Sequence, residues 1–382
     1  MRFSTVLVSF LLAFSGAGIA QAQTSAQTQA QTAPPAAVGG APQVSRGNDG
    51  VVGVITGMEG GTYAQTGADL TILDDDSLRV LPTLGKGSLQ NLSDILYLRG
   101  IDIGFVQADA LAYAKQHNMF PGLTQNIRYI AKLYDEEVHV LARKDITKLA
   151  DLNGQRVNVD VAGSGSAMTA EILLDALGIN AKVEHDKQIN GIQKLKNGEI
   201  AAVIHVGGAP IPLFANIPPD SGLHFLDVPL NPALAQTYLP DKFTHDVYPA
   251  LVPADAPVPT IAVGDVLAVF AWPPRTDRAN NVNRFVTDFF NRFAEFQKPP
   301  RHPKWREVNL TAEVPGWTRL PFAQDWLDKQ NSVRTASPAT QVRFNAFLAQ
   351  THPGVNSKLS DADREKLFQQ FVAWDRQQSA AR

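Results

Sequence analysis

The chain has no cysteine among its 382 residues. That removes a lipid-anchoring thiol, a disulfide framework, a thiol nucleophile and any thiolate metal site. An excess of either charge is also missing: 34 Lys and Arg stand against 37 Asp and Glu, a net of −3. Such a balance offers no basic surface for nucleic acid or an anionic membrane. Long apolar runs are lacking too, apart from one that follows Met1, Arg2 and Phe3 and fades at Ala13. It is too short and wrongly flanked to span a bilayer. With a positive charge ahead of it and Ala20-Gln21-Ala22 behind, it reads as a secretory signal peptide (1–22). The expectation is an exported, periplasmic protein whose own core must hold it together.

Residues 23–48, "QTSAQTQAQTAPPAAVGGAPQVSRGN", contain almost no bulky apolar side chains. A segment of that kind cannot bury enough surface to offset its ordering entropy. It reads as a disordered tether, with the folded part starting near Asp49. From there strand-like and helix-like segments alternate. "VVGVI" (51–55), "LRVLPT" (78–83) and "IDIGFVQ" (101–107) are apolar strands, each followed by a helical stripe. Two extended runs follow, "IRYIAKL" (127–133) and "VHVLAR" (138–143). The pattern then restarts, with strands at 156–161 and in "IAAVIHV", and a helix after "AGSGSA" that Gly178 closes. "VPTIAVGDVLAVFAW" (258–272) is extended and apolar enough to return to the first sheet. A helix with Val282, Phe285, Phe289, Phe293 and Phe296 on one face reads as core. Near the C-terminus, Ser360 and Asp363 form a capping box before Leu367, Phe368, Phe371 and Trp374. Repeated strand–helix units predict an α/β fold with mainly parallel, doubly wound sheets.

Four polar, glycine-rich seams sit at the carboxyl ends of these strands. They are Gly60-Gly61-Thr62-Tyr63, Gly85-Lys86-Gly87-Ser88, Gly163-Ser164-Gly165-Ser166 and Gly207-Gly208. That edge is where open α/β sheets bind ligands. Three of the four run into helices, whose first N–H groups and dipole favour an anion. Two seams in each half of the chain predict a cleft between two lobes.

The segments "EGGTYAQTGADL", "GKGSLQNLSDILYLRGIDIGFVQAD", "LYDEEVHVLARKDITKLADLNGQRVNVDVAGSGSAMTAEILLDALGI" and "GGAP" are similar, in order and spacing, to the TAXI family of TRAP transporter solute-binding proteins. The resemblance covers about residues 51–300 and is most specific over 133–179. It implies a type II periplasmic binding protein fold, two α/β lobes joined by a hinge and closing on a small solute. The expected division is lobe I (49–143), lobe II (144–260), a return to lobe I (261–330) and a helical C-terminal extension (331–382). The crossing strands are expected near Leu141–Lys144 and Ile261–Leu267. It also implies a monomeric extracytoplasmic receptor with no catalytic residues, metal or cofactor. Its ligand would be a small organic anion, a dicarboxylate or an acidic amino acid such as glutamate. Its partners would be the membrane permease subunits of a TRAP transporter.

By position, the resemblance assigns ligand contacts to Gly60, Gly61, Thr62, Tyr63, Ser88, Asn91 and Gln107 from the first lobe. Gly163, Ser164, Gly165, Ser166 and Gly207 answer from the second. His205, two residues before Gly207, is a further candidate: facing the cleft it could donate to an anion, with affinity rising as pH falls. Met58, Glu59 and Lys86 depart from the family pattern. Glu59 either holds a ligand amino group or is a solvated turn residue. Lys86 either pairs with a ligand carboxylate or faces solvent.

Other readings are weaker. "GKGS" lacks the glycine a P-loop needs five residues before Gly85, where Val80 stands. "GSGSA" does not have G-x-S-x-G spacing. His117, His139, His185, His205 and His224 show no metal-binding spacing. The remaining alternative is a periplasmic sensor, or an ABC-type uptake receptor for another solute.

Overall fold

The computed structural model describes residues 50–334, 342–344, 346–348, 367 and 371. The signal peptide, the tether, the Ser360–Asp363 capping box, Phe368 and Trp374 lie outside the described residues. The first strands are β1 (Val51–Ile55), β2 (Arg79–Thr83) and β3 (Ile103–Gln107). Helices α1 (Thr62–Asp69), α2 (Ser88–Tyr97), α3 (Asp109–Gln116) and the single turn α4 (Leu123–Asn126) connect or follow them. Next come β4 (Ile127–Arg143), β5 (Arg156–Asn158), α5 (Gly165–Ala176), β6 (Lys182–Glu184) and α6 (Gln188–Lys196). The chain continues through β7 (Ala202–Gly207), α7 (Pro212–Ala215), β8 (Leu223–Phe225), β9 (Leu239–Phe243) and β10 (Val258–Phe270). It closes with α8 (Asp277–Asn291), α9 (Phe293–Phe296) and α10 (Pro321–Arg334).

All ten strands join one sheet, ordered β2-β1-β3-β10-β4-β7-β5-β6, with β8 added to β4 and β9 to β10. Strands β1, β2 and β3 run parallel, as do β5, β6 and β7, and each trio is bordered by an antiparallel crossing strand. The mixed α/β architecture expected from the alternating pattern is the one present.

The 127–133 and 138–143 runs are one strand of 17 residues. Asp135, Glu136 and Glu137, between the two expected runs, lie within the ladder. Glu137 pairs with Ala262 of β10 on one side and Gly207 of β7 on the other. Ala262 in turn pairs with Leu239 of β9. The chain therefore passes between the two halves of the sheet at Glu137 and Ala262. Residues 141–144, where the first crossing was expected, lie beyond that point.

Alternation along β4 sorts its side chains onto two faces, as the pleat requires. Val138, Val140 and Ala142 join one buried cluster of the second half, with Leu173, Ile204 and Tyr238. Leu141 joins the other, with Phe214, Phe225 and Phe243. In the first half, Val282, Phe285, Phe289 and Phe296 pack with Phe105, Leu267 and Trp305, and Phe293 lies against that cluster. The aromatic helix face is core. Through Ala323 and Leu327, α10 joins the same cluster.

Candidate functional site

A cleft of about 1340 Å³ opens between the two halves of the sheet. Gly60, Gly61, Thr62, Tyr63, Lys86, Ser88, Gln107, Ser164, Gly165, Ser166, His205 and Gly207 all line it. Sequence reasoning thus brings twelve of its fourteen candidates to one place. Asn91 and Gly163 are not among the lining residues. The Asn91 amide donates to the carbonyls of Thr56 and Phe105 at 2.9 and 2.7 Å, tying the ends of β1 and β3 together. The Gly163 carbonyl accepts from the Gln90 N–H at 3.2 Å.

At the start of α1, Gly60 has φ +80° and occupies the left-handed region that glycine tolerates. Gly61 is different. Its φ is −78°, and an added Cβ would meet only the Met58 carbonyl, at 3.2 Å. The Gly61 N–H donates to that carbonyl at 3.1 Å, so it is spent within the turn. The N–H groups of Thr62 and Tyr63 have no partner among the described residues, and these are the open donors of this helix end. The Thr62 hydroxyl donates to the Gly208 carbonyl at 3.2 Å and links the two halves.

The Tyr63 ring stacks on Phe105, and its hydroxyl reaches the floor of the cleft. There it lies 3.0 Å from Glu136 Oε2 and 3.1 Å from Asp265 Oδ1. A phenol has one proton to give. It cannot satisfy two carboxylates, so one acid must be protonated and donate back to the phenol oxygen. Burial and like charge agree: burial first, then repulsion from Glu137, push Glu136 up to about 8, and burial with repulsion from Glu136 holds Asp265 well above the ordinary carboxylate range. The second Asp265 oxygen is buried without a partner, as a neutral acid can tolerate better than a carboxylate. Next along β4, Glu137 points the other way. It accepts from Lys304 Nζ at 2.5 Å and from the Ala209 N–H at 2.7 Å. Burial raises it to about 7, against the pull of the ammonium.

The α5 side is built from close contacts. Ser164 caps its own helix, its hydroxyl accepting from the Ala167 N–H at 3.1 Å. Gly165 lies against the first half: a Cβ there would be 2.0 Å from Gln107 Oε1 and 2.7 Å from Ser88 Oγ. Those two side chains are locked together. Ser88 donates to Gln107 Oε1, and the Gln107 N–H donates to Ser88 Oγ, each at 3.0 Å. One turn further, Asp109 of α3 accepts from the hydroxyls of Thr169 and Tyr238 at 2.8 and 2.7 Å. Burial pushes Asp109 up to about 6.

Ser166, His205 and Asp160 need separate treatment. Ser166 Oγ is 3.2 Å from His205 Nδ1, and Asp160 Oδ2 is 3.8 Å from the same nitrogen. A nucleophilic relay needs hydroxyl and carboxylate on opposite ring nitrogens. Ser166 Oγ also accepts the Val206 N–H at 3.0 Å. The trio therefore has the wrong geometry to activate the serine. Burial pulls His205 down to about 4, so it stays neutral across pH 5.5–8. The expected rise in anion affinity through its titration in that range is corrected.

Sequence reasoning missed Met58, Leu84, Glu136, Asp160, Lys187, Ile189 and Lys196, which also line the cleft. Asp160 alone carried a signal, an acid at a strand end just before a glycine seam. Its φ is +77°, uncommon for a residue with a side chain.

Solved structures with a related course of the chain include a periplasmic transporter, 12% identical over 75% of this chain and 97% of that one, with TM-score 0.46. The substrate-binding protein of an amino acid ABC transporter is 13% identical, covering 63% and 93%, at 0.38. An ancestral arginine-binding protein bound to arginine is 14% identical, covering 63% and 92%, at 0.37. In sequence, residues 54–274 match the NMT1-like family, a span that runs from β1 past the end of β10 and carries every element of the cleft. The chain belongs to the NMT1-like family.

Proposed function

We propose that this protein is an extracytoplasmic solute receptor of the TAXI type. It captures a small organic anion between the two halves of its sheet and delivers it to a TRAP-type permease. The observation that carries the reading is the start of α1, where two unpaired N–H groups open into a cleft lined from both halves. A helix start of this kind favours negative charge without needing a cationic side chain. Lys86, Lys187 and Lys196 add positive charge around the same opening. A receptor rather than an enzyme fits the Ser166–His205–Asp160 geometry, which lacks an activated nucleophile. Extracytoplasmic placement follows from the signal peptide read in residues 1–22.

The test is a thermal-shift screen of the purified protein against organic acids and amino acids, with dicarboxylates and glutamate included. Small-angle scattering on each hit should show a smaller radius with ligand bound. Uptake by vesicles carrying a TRAP permease, dependent on added receptor and on an ion gradient without ATP, completes it. Stabilisation by cations or neutral sugars and by no anion would sink the reading.

A further inference from the structure

The cleft is roomier than a four- or five-carbon diacid needs, since about 300–1,000 Å³ already accommodates drug-sized ligands. Its charges are also unevenly placed: apart from Glu59, the exposed ones are cationic. Lys86, Lys187 and Lys196 are exposed, and none enters an ion pair among the described residues. The buried ionisable groups of the lining are of another kind. They are Glu136 and Asp160, with neutral His205 and the Tyr63 phenol beside them. Lys304 is buried close by, but its ammonium is held by Glu137 and Glu307 at 2.5 and 2.9 Å. One carboxylate can be met by the exposed lysines and the start of α1. A second, placed deeper, would find acids and no free cation.

Six aliphatic side chains stand in the remaining wall, among polar ones such as Gln90, Asn190 and Asn216. Met58 and Leu84 contribute from the first half, and Ile189, Ile192, Leu213 and Ile217 from the second. Leu84 is 60% exposed and Ile189 61%, although both belong to the cleft lining. A lone exposed leucine needs no explanation. Two aliphatic side chains left in water on opposite sides of one opening, beside unpaired lysines, describe a surface for a molecule with one charged end and an apolar body.

We propose that the solute is a monocarboxylate with an aliphatic or aromatic body, and that Leu84 and Ile189 determine this specificity. The proposal rests on the anion-receptor reading and narrows its ligand class. The carboxylate sits against the lysines and the open N–H groups of α1. The body lies between the two aliphatic walls, and bringing the halves together removes it from water.

The probes are butanoate, hexanoate, octanoate and phenylacetate, compared with succinate and glutamate by calorimetric titration at pH 7. Affinity should rise roughly fourfold per added methylene, the ratio expected for burying one CH₂. Succinate and glutamate should bind at least about tenfold more weakly than octanoate, lacking any such gain. Leu84→Ser and Ile189→Ser, at exposed positions that leave the fold intact, should each flatten the chain-length series, octanoate losing more affinity than butanoate while the melting temperature holds. A flat series in the parent protein overturns the proposal, as does tighter binding of succinate or glutamate than of octanoate. Binding of those two alone overturns only this refinement. Binding of no acid at all overturns the anion-receptor reading with it.

Discussion

The helices that start at Thr62 and Gly165 follow the same kind of glycine-and-hydroxyl seam, yet the two seams do different work. The α1 seam meets the other half through the Thr62 hydroxyl: its turn closes on itself through Gly61 and Met58, and the next two N–H groups have no partner among the described residues. The α5 seam faces protein. Gly163 accepts from Gln90, Gly165 lies on the Ser88–Gln107 pair, and Thr169 reaches Asp109. A glycine before a helix thus has two settings here: at α1 it precedes N–H groups left without a protein partner, and at α5 it lies against the opposite half of the molecule.

The sharpest way to break this contrast is Gly165→Val. A side chain there collides with buried, mutually bonded Gln107 and Ser88. The closed arrangement should be lost, with solute affinity falling by at least about 100-fold, or close to 3 kcal/mol. The scattering radius should stay large at saturating solute, while circular dichroism keeps the parent spectrum. Parent-like affinity would mean that Gly165 does not mediate closure.

Asp109 gives the next largest effect. Its folded pKa, about 6, lies above the ordinary aspartate value, so the folded state holds the proton more tightly than the unfolded chain. The contribution is full below pH 4 and is lost as pH rises through 6. Over that window the parent should lose up to about 3 kcal/mol that Asp109→Asn does not, since one pKa unit corresponds to about 1.4 kcal/mol. Urea melts at pH 4, 5, 6 and 7 measure the difference, and parallel curves would remove Asp109 from the interface.

Gly61→Ala is the counterpart at α1. Its backbone needs no left-handed conformation, and its Cβ would press only on the Met58 carbonyl at 3.2 Å, a contact a small shift of the turn relieves. The unliganded melting temperature should therefore fall by no more than a few degrees. Solute affinity should fall roughly tenfold, about 1.4 kcal/mol, as the methyl narrows access to the Thr62 and Tyr63 donors. Unchanged affinity would show that no ligand reaches this helix start. The smallest effect belongs to Thr62→Ala, which removes one hydrogen bond between the halves, to Gly208. A loss of about 1 kcal/mol in solute binding is expected, measured by titration beside the parent protein. A loss as large as that of Gly165→Val would reverse the ranking of the two seams.

The positions of both seams were legible in the sequence because glycines at strand ends punctuate the pattern. The aromatic face of α8 was legible for the same kind of reason, since helical spacing shows in any window of a dozen residues. What each seam touches was not. Gly165 meets Gln107 across 58 positions of chain, and no local pattern encodes that contact. The course of β4 was misread because Asp135-Glu136-Glu137 resembles a solvated turn. In the fold Asp135 pairs with Lys132, Glu136 accepts from Tyr63 and Glu137 from Lys304. Lys187, Ile189 and Lys196 escaped notice because a surface helix and a cleft wall look alike until the opposing half is in place.

The continuity of β4 bears on how this molecule could be taken apart. Residues 127–137 complete the ladder beside β10, and residues 137–142 complete the one beside β7. Neither half therefore owns a full set of strands from an uninterrupted piece of chain. A gene fragment ending at Arg143 would lack β10, which returns 115 residues later, and a fragment starting at Lys144 would leave β7 with one edge bare. Fragment complementation should accordingly succeed only for cuts in loops such as 218–222, where both pieces still contribute to the shared strands. The two halves share their strands and fold as one.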